Sequence, residues 1–288
     1  MLSHAQNPPR APRRVVVLGA SGFVGANLVS QLASSATPTL AVSSRDIDLS
    51  TPGAGEKLAA RLEPDDALVF VSALTPDKGR DIATMMKNLA MAEQVCAALA
   101  TRPCAHVVYV SSDAVYADDA DRVTESSCAS PSTYHGLMHL VRERMLSTTL
   151  AATKTPLAIL RPSLLYGRGD THNGYGPNRF LRTAREARSI ALFGNGEEQR
   201  DHVFIDDVSR VIERVIRSRS SGVLNVATGR SRTFGDVANI VAQVVPGAAI
   251  ESKPRAGAVT HRSFETQAVG AAFPDFAFTS LEDGLARA

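Results

Sequence analysis

The chain has 288 residues, 44% apolar and 21% charged, with 31 Lys and Arg against 29 Asp and Glu, a formal charge of +2. So balanced a charge gives no footing for nucleic acid or an acidic membrane surface, and the expected partner is a small molecule. Three cysteines (Cys96, Cys104, Cys128), odd in number and without C-x-x-C spacing, argue against a disulfide framework or a zinc site and fit a reducing, cytoplasmic setting.

The opening "MLSHAQNPPRAPRR" has prolines and arginines but no apolar stretch, so it reads as neither a secretory signal nor a membrane span. Residues 1–13 are expected to form a mobile tail outside the fold. From residue 14, "RRVVVLGASGFVGANLVSQLA" runs from aliphatic residues through a glycine-rich turn into an amphipathic stretch, a strand, loop and helix. "ALVFVSAL" (67–74), "HVVYVSS" (106–112) and "LAILRPS" (157–163) are short continuous apolar runs that suit strands buried on both faces of a parallel sheet. Helical segments at about 82–100 and 133–150 supply the crossovers. The expectation is an α/β fold, a Rossmann-type doubly wound parallel sheet over 14–167.

Past residue 167 the character changes. "YGRGDTHNGYGPNRF" is long and rich in Gly and Asn, the mark of a functional loop. Helical segments near 178–189 and 233–245, with the strand-like "GVLNVAT", point to a smaller C-terminal α/β substrate-binding lobe over 168–288, parts of 200–230 being also open to a return to the first domain.

"GASGFVG" places Gly19, Gly22 and Gly25 three apart, directly after a strand and at the start of a helix. That pattern supplies φ freedom in the turn, close backbone approach to a pyrophosphate and tight helix–strand packing, and makes Ser21, Phe23 and Val24 part of a dinucleotide site. About twenty residues on, "VSSRDIDLS" puts Ser43, Ser44 and Arg45 before Asp46. This order favours NADP weakly over NAD, Arg45 being equally open to a solvated surface role and Asp46 to the NAD ribose, with Asp48 and Leu49 as adenine-side contacts.

With "GASGFVG", "SSDAVY", "YHGLM", "LRPSLLYGRGD", "GPNRF" and "FGNGEEQRDHVFIDDV" in this order, the chain resembles the extended short-chain dehydrogenase/reductases of the NAD-dependent epimerase/dehydratase group, over about residues 14–245. The resemblance implies a nucleotide-sugar substrate, hydride transfer at a sugar carbon, most often C4, and a homodimer. By position it makes Tyr134 the acid/base and Ser112 the residue that orients the reacting oxygen. Asn178 and Arg200 would hold the diphosphate, a task suited to a guanidinium fork. Ser72, Ala73 and Asn88 fall on the cofactor side. Asp113 follows the serine as in the sugar dehydratases, but Ala114 stands where their Glu would be, and a turn-capping role is equally open. His172, His202 and His261 are too scattered to argue for a metal.

One position departs from the pattern. The family motif is Tyr-x-x-x-Lys, whereas here Met138 follows Tyr134. The lysine binds the nicotinamide ribose and lowers the tyrosine pKa; a methionine does neither. A phenol of pKa about 10 is ionised only about one part in a thousand at neutral pH, roughly 4 kcal/mol against its use as a base. Three readings stand. Tyr134, Met138, Val141 and Met145 could form an apolar stripe with the tyrosine packed. The nicotinamide ring, helped by His139 or Lys78, could replace the lysine's field. Or the enzyme could be a reductase, which needs its tyrosine protonated. An epimerase is the first expectation, an NADPH-dependent keto-sugar reductase the second, and a catalytically silent NAD(P)-binding regulatory protein the third.

Overall fold

Four consecutive residues, Val15 to Leu18, are wholly excluded from solvent in the computed structural model, which describes residues 2–288. Burial on both faces of the sheet is worth about 2 kcal/mol for each such side chain and explains why this run cannot alternate with polar residues. The strand Arg14–Leu18 lies inside a seven-stranded sheet. The order is Ser3–His4, Ser220–Val226, Leu157–Pro162, His106–Val110, Asp66–Phe70, Arg14–Leu18, Thr39–Val42, parallel except for Ser3–His4. The chain leaves Arg14–Leu18 for Thr39–Val42 on one side and returns to Asp66–Phe70 on the other, and the crevice at this reversal is where a doubly wound sheet takes a ligand.

Two apolar layers cover the sheet. The helices Phe23–Ser34 and Ile205–Arg217 pack on one face around Leu28, Leu32, Val211 and Val215; Ile82–Thr101 and Tyr134–Thr153 pack on the other around Val95, Leu99, Leu146 and Leu150. Ile205–Arg217, a helix the sequence reading did not mark, carries Asp206 and Asp207 in its first turn and Arg214 and Arg217 in its last, which matches its macrodipole.

One expectation changes here and one open alternative is decided. Ser3–His4 forms an edge strand against Ser220 and Ser221, and Gln6 and Arg10 donate their N–H groups to the carbonyls of Ser218 and Arg217, so the segment expected to lie outside the fold is tied to it; Met1 lies outside the described residues. "GVLNVAT" follows the alternative left open for 200–230: Ser220–Val226 pairs with Leu157–Pro162 in the main sheet, and its end, Leu224 to Val226, is buried as a continuous run beside that strand. The smaller lobe is therefore discontinuous. Its core of Phe180, Ile190, Phe204, Phe234, Val241 and Leu285 joins the helices Pro177–Ala187, Phe234–Val244 and Leu281–Arg287 to the parallel pairs Ser189–Phe193 with Ala249–Lys253 and Leu164–Tyr166 with His202–Phe204.

Candidate active site

The glycine turn is built for close approach. Gly19 has φ +94°, and a Cβ there would lie 2.8 Å from the Ser72 backbone; a Cβ on Gly25 would lie 2.1 Å from the Gly19 carbonyl oxygen. Gly22 caps the helix Phe23–Ser34 with no side-chain bond, which leaves its first-turn amides to an anion. These features fit a dinucleotide pyrophosphate. The side chains of Phe23 and Val24 pack against the lobe core and fix the lobe to the glycine turn, while their backbone amides belong to that first turn.

At the end of the second strand, the Asp46 carboxylate accepts from the Ser43 N–H and hydroxyl, which draws it into its own turn and holds its pKa below the usual range. Asp48 likewise accepts from the Ser50 N–H and hydroxyl. Ser44 and Arg45 are exposed beside them. Leu49, expected at the adenine, is instead 4% exposed and belongs to the core under the sheet, because an apolar side chain next to a polar turn gains more from that core than from a half-open pocket.

Ser112 and Tyr134, the residues expected at the reacting end, begin two neighbouring turns. Ser112 caps the short 3₁₀ turn Asp113–Val115, its hydroxyl accepting from the Ala114 N–H. Thr133 caps the helix Tyr134–Thr153 by accepting from the Gly136 N–H. The turns touch through Gly136, where a Cβ would lie 2.0 Å from the Ala114 carbonyl oxygen. Tyr134 is 43% exposed, so it is not packed in an apolar stripe; it lines a cavity of about 480 Å³ together with Met138, His135, Asn88, Leu74 and His172.

Neither expected substitute for the lysine supplies a cation at Met138. His139 is buried and shares a 2.7 Å hydrogen bond with the Tyr109 hydroxyl, and burial, with His135 and Arg142 nearby, pushes its pKa well below the ordinary histidine value. Lys78 is exposed and pairs with Asp77. His135 sits edge-on to His139 at 4.7 Å, and burial, followed by His172 and Arg142, brings it down to about 4. The cavity wall at Met138, itself 1% exposed, is therefore uncharged at neutral pH. On the far side, His172 in the long glycine-rich loop bonds Asp77 at 3.1 Å; burial raises the Asp77 carboxyl, but bonds from Thr75, His172 and Lys78 outweigh this and bring it to about 2.

On the substrate side, Asn178 does not present its amide. Its Oδ1 accepts from the Gly167 N–H at 2.9 Å and its Nδ2 donates to Asp170 at 2.7 Å, so both ends are used in bracing the loop. Arg200 donates to the Thr260 carbonyl and hydroxyl. Arg262, which the sequence reading missed, reaches the Asp113 carboxylate at 3.5 Å and donates to the Ala117 carbonyl. Burial raises the Asp113 pKa, with Arg262 and then Arg200 acting against it. Two guanidinium groups thus lie beside the Ser112 turn. No local signal marks Arg262, since 149 residues separate it from Asp113.

Beneath the reacting end runs a buried network. Arg161 donates to Glu143 through Nε at 2.9 Å and Nη2 at 2.6 Å and to the Tyr116 hydroxyl, Tyr116 donates to Asn225, and Ser111 donates to Glu143. It links the Ser112 turn to the helix Tyr134–Thr153 and the main sheet. Among the described residues no group of three or more His, Cys, Asp or Glu could hold a metal, and no helix is long and apolar enough to cross a membrane.

The model of the NAD dependent epimerase/dehydratase family matches residues 15–227. The dTDP-L-rhamnose 4-epimerase of Burkholderia thailandensis is 34% identical over 117 residues, 39% of this chain and 32% of that protein, so the match spans about a third of the curated relative's length. Among solved structures, MoeE5 in complex with UDP-glucose and NAD superposes with a TM-score of 0.81 at 24% identity, covering 95% of this chain and 96% of that one. The UDP-N-acetylglucosamine 4-epimerase of Methanobrevibacter ruminantium M1, in complex with UDP-N-acetylmuramic acid, superposes with a TM-score of 0.82 at 18% identity, covering 96% and 97%. At these identities the structural likeness speaks to the fold.

Proposed function

Because the chain belongs to the NAD-dependent epimerase/dehydratase family of nucleotide-sugar enzymes, we propose that it inverts a sugar carbon, C4, of a nucleotide-linked sugar by removing a hydride and returning it to the opposite face. The observation that carries this reading is the contact of the Ser112 and Tyr134 turns through Gly136 and Ala114, on the same sheet edge as the glycine cradle of Gly19 and Ser72. A bound nicotinamide supplies the hydride acceptor and donor. Tyr134, acting as the phenolate, takes the proton of the sugar hydroxyl as the hydride leaves C4 and returns it as the phenol when the hydride comes back, and Ser112 Oγ orients the same oxygen. Arg200 and Arg262 hold the diphosphate, with Asp113 keeping Arg262 in place. Asn178 serves the substrate through the loop it braces.

A second reading, an NADPH-dependent keto-sugar reductase, draws on two observations: the uncharged wall at Met138, which suits a tyrosine that only donates, and the exposed Ser44 and Arg45 beside a self-occupied Asp46, which suit a 2′-phosphate. A silent regulatory protein fits less well, since Tyr134 stays open to a cavity. The test is mass spectrometry of the small molecules released when the freshly purified protein is denatured, followed by titration with each nicotinamide. Tightly held NAD supports the epimerase. An empty pocket that prefers NADPH supports the reductase. Absence of affinity for any nicotinamide overturns both.

A further inference from the structure

Arg142 is fully buried, yet its partners are carbonyls and a thioether rather than a carboxylate. Nε donates to the Asn88 carbonyl at 2.8 Å, Nη1 to the Ser72 carbonyl at 2.8 Å, and Nη2 to the Asn88 side-chain oxygen at 3.0 Å, while the guanidinium lies 4.9 Å from the Phe70 ring centroid. Burying an arginine in this way costs several kcal/mol, and carbonyl dipoles return less of that cost than a carboxylate would. Its neighbours Glu143 and Arg161 are already committed to each other.

The groups that Arg142 grips all belong to one short segment or to the residue that clamps it. Asn88 Oδ1 accepts from the Leu74 N–H at 2.9 Å and its Nδ2 donates to the Leu74 carbonyl at 3.0 Å. Ser72 is the residue whose backbone presses on Gly19, and Leu74 lines the Tyr134 cavity. Arg142 therefore fixes Ser72 at one end and, through Asn88, Leu74 at the other. On the helix it stands one turn beyond Met138 and two beyond Tyr134, on the same face.

We propose that Arg142 is a positioning residue for the dinucleotide: by holding Ser72 to Leu74 against the glycine turn it sets cofactor affinity from below, and its uncompensated positive charge is offset when the anionic dinucleotide binds. This inference rests on the cofactor reading above. It makes the cation of the site a fixed internal brace, one helical turn deeper than the apolar wall at Met138.

The experiment is calorimetric titration of NAD and NADPH into the full chain, for the wild type, Arg142→Met and Arg142→Lys, with the cofactor-induced rise in Tm recorded beside it. Arg142→Met is expected to raise Kd at least tenfold per folded molecule and to shrink the Tm rise. Arg142→Lys, which keeps a cation but cannot span Ser72 and Asn88 together, is expected to fall between the two. Equal Kd in wild type and a folded Arg142→Met overturns the inference, as does equal Kd in Arg142→Lys should the methionine variant not fold. A wild type that binds neither nucleotide refutes the cofactor reading itself, an outcome distinct from a failure of Arg142 alone.

Discussion

Replacing Gly136 by alanine tests how the two reacting turns are held together. The new Cβ would start 2.0 Å from the Ala114 carbonyl oxygen and 2.7 Å from the Pro131 Cβ, whereas an ordinary contact begins at 3.4 Å. The obstacle on one side is backbone, so no rotamer relieves it, and the helix start must move away from the Ser112 turn by roughly 1 Å or more. Displacement of this size costs reacting groups about 100-fold in rate. The fold should survive, because an overpacking cost of about 1–3 kcal/mol is partly offset by the roughly 1 kcal/mol that alanine gains over glycine inside a helix. The assay is steady-state kinetics with a nucleotide sugar that the wild type turns over, beside calorimetric Kd values for NAD and circular dichroism. The expected result is kcat lower by about 100-fold with NAD affinity changed less than threefold, since the glycine cradle does not touch this contact. A folded Gly136→Ala variant with kcat within threefold of wild type would refute the claim that this contact sets the Ser112 and Tyr134 geometry.

Glu143→Gln leaves Arg161 buried without its carboxylate and should cost about 3–5 kcal/mol in urea unfolding, whereas Glu143→Leu with Arg161→Met together should cost less than either change alone. His106, pushed down to about 4 chiefly by burial, is held neutral in the fold, so its contribution is complete above pH 6.5 and drains away as pH falls towards 4. About 2 kcal/mol should be gone by pH 5, and a His106→Gln variant should lose correspondingly less stability between pH 7.5 and pH 5 than the wild type does. Arg45→Ala should weaken NADPH binding by about 10–100-fold while leaving NAD binding within a few-fold, the worth of one charge-assisted hydrogen bond; equal losses for both nucleotides would remove Arg45 from the 2′-phosphate.

The parallel sheet and the glycine turn were legible in the sequence because runs such as Val15 to Leu18 and Val107 to Val110 are apolar without alternation, which a strand buried on both faces requires. Ser220–Val226 was harder to place, since its partner Leu157–Pro162 lies some sixty residues earlier and only the pairing register decides between sheet and lobe. The two-residue edge strand at Ser3–His4 is too short to carry any periodicity. In the candidate site, Ser112, Tyr134 and the departure at Met138 were marked by the resemblance of their motifs to the family's. The use of Asn178 could not be read in this way, because it depends on Asp170 turning back to meet it. Leu49 failed for a similar reason: an apolar residue in a polar turn is equally consistent with a ligand contact and with a core. Arg142 carried a usable signal, the 3.6-residue period that aligns it with Tyr134 and Met138, whereas Arg262 carried none.

The most direct test of the central claim follows a deuterium at C4 of a nucleotide sugar through turnover by the wild type and by Tyr134→Phe. The account predicts that the wild type returns the label to C4 with inverted configuration and that Tyr134→Phe, still binding NAD, loses at least 100-fold in rate. Equal turnover by the two proteins, or a wild type that binds NAD and a nucleotide sugar but moves no label, would contradict it.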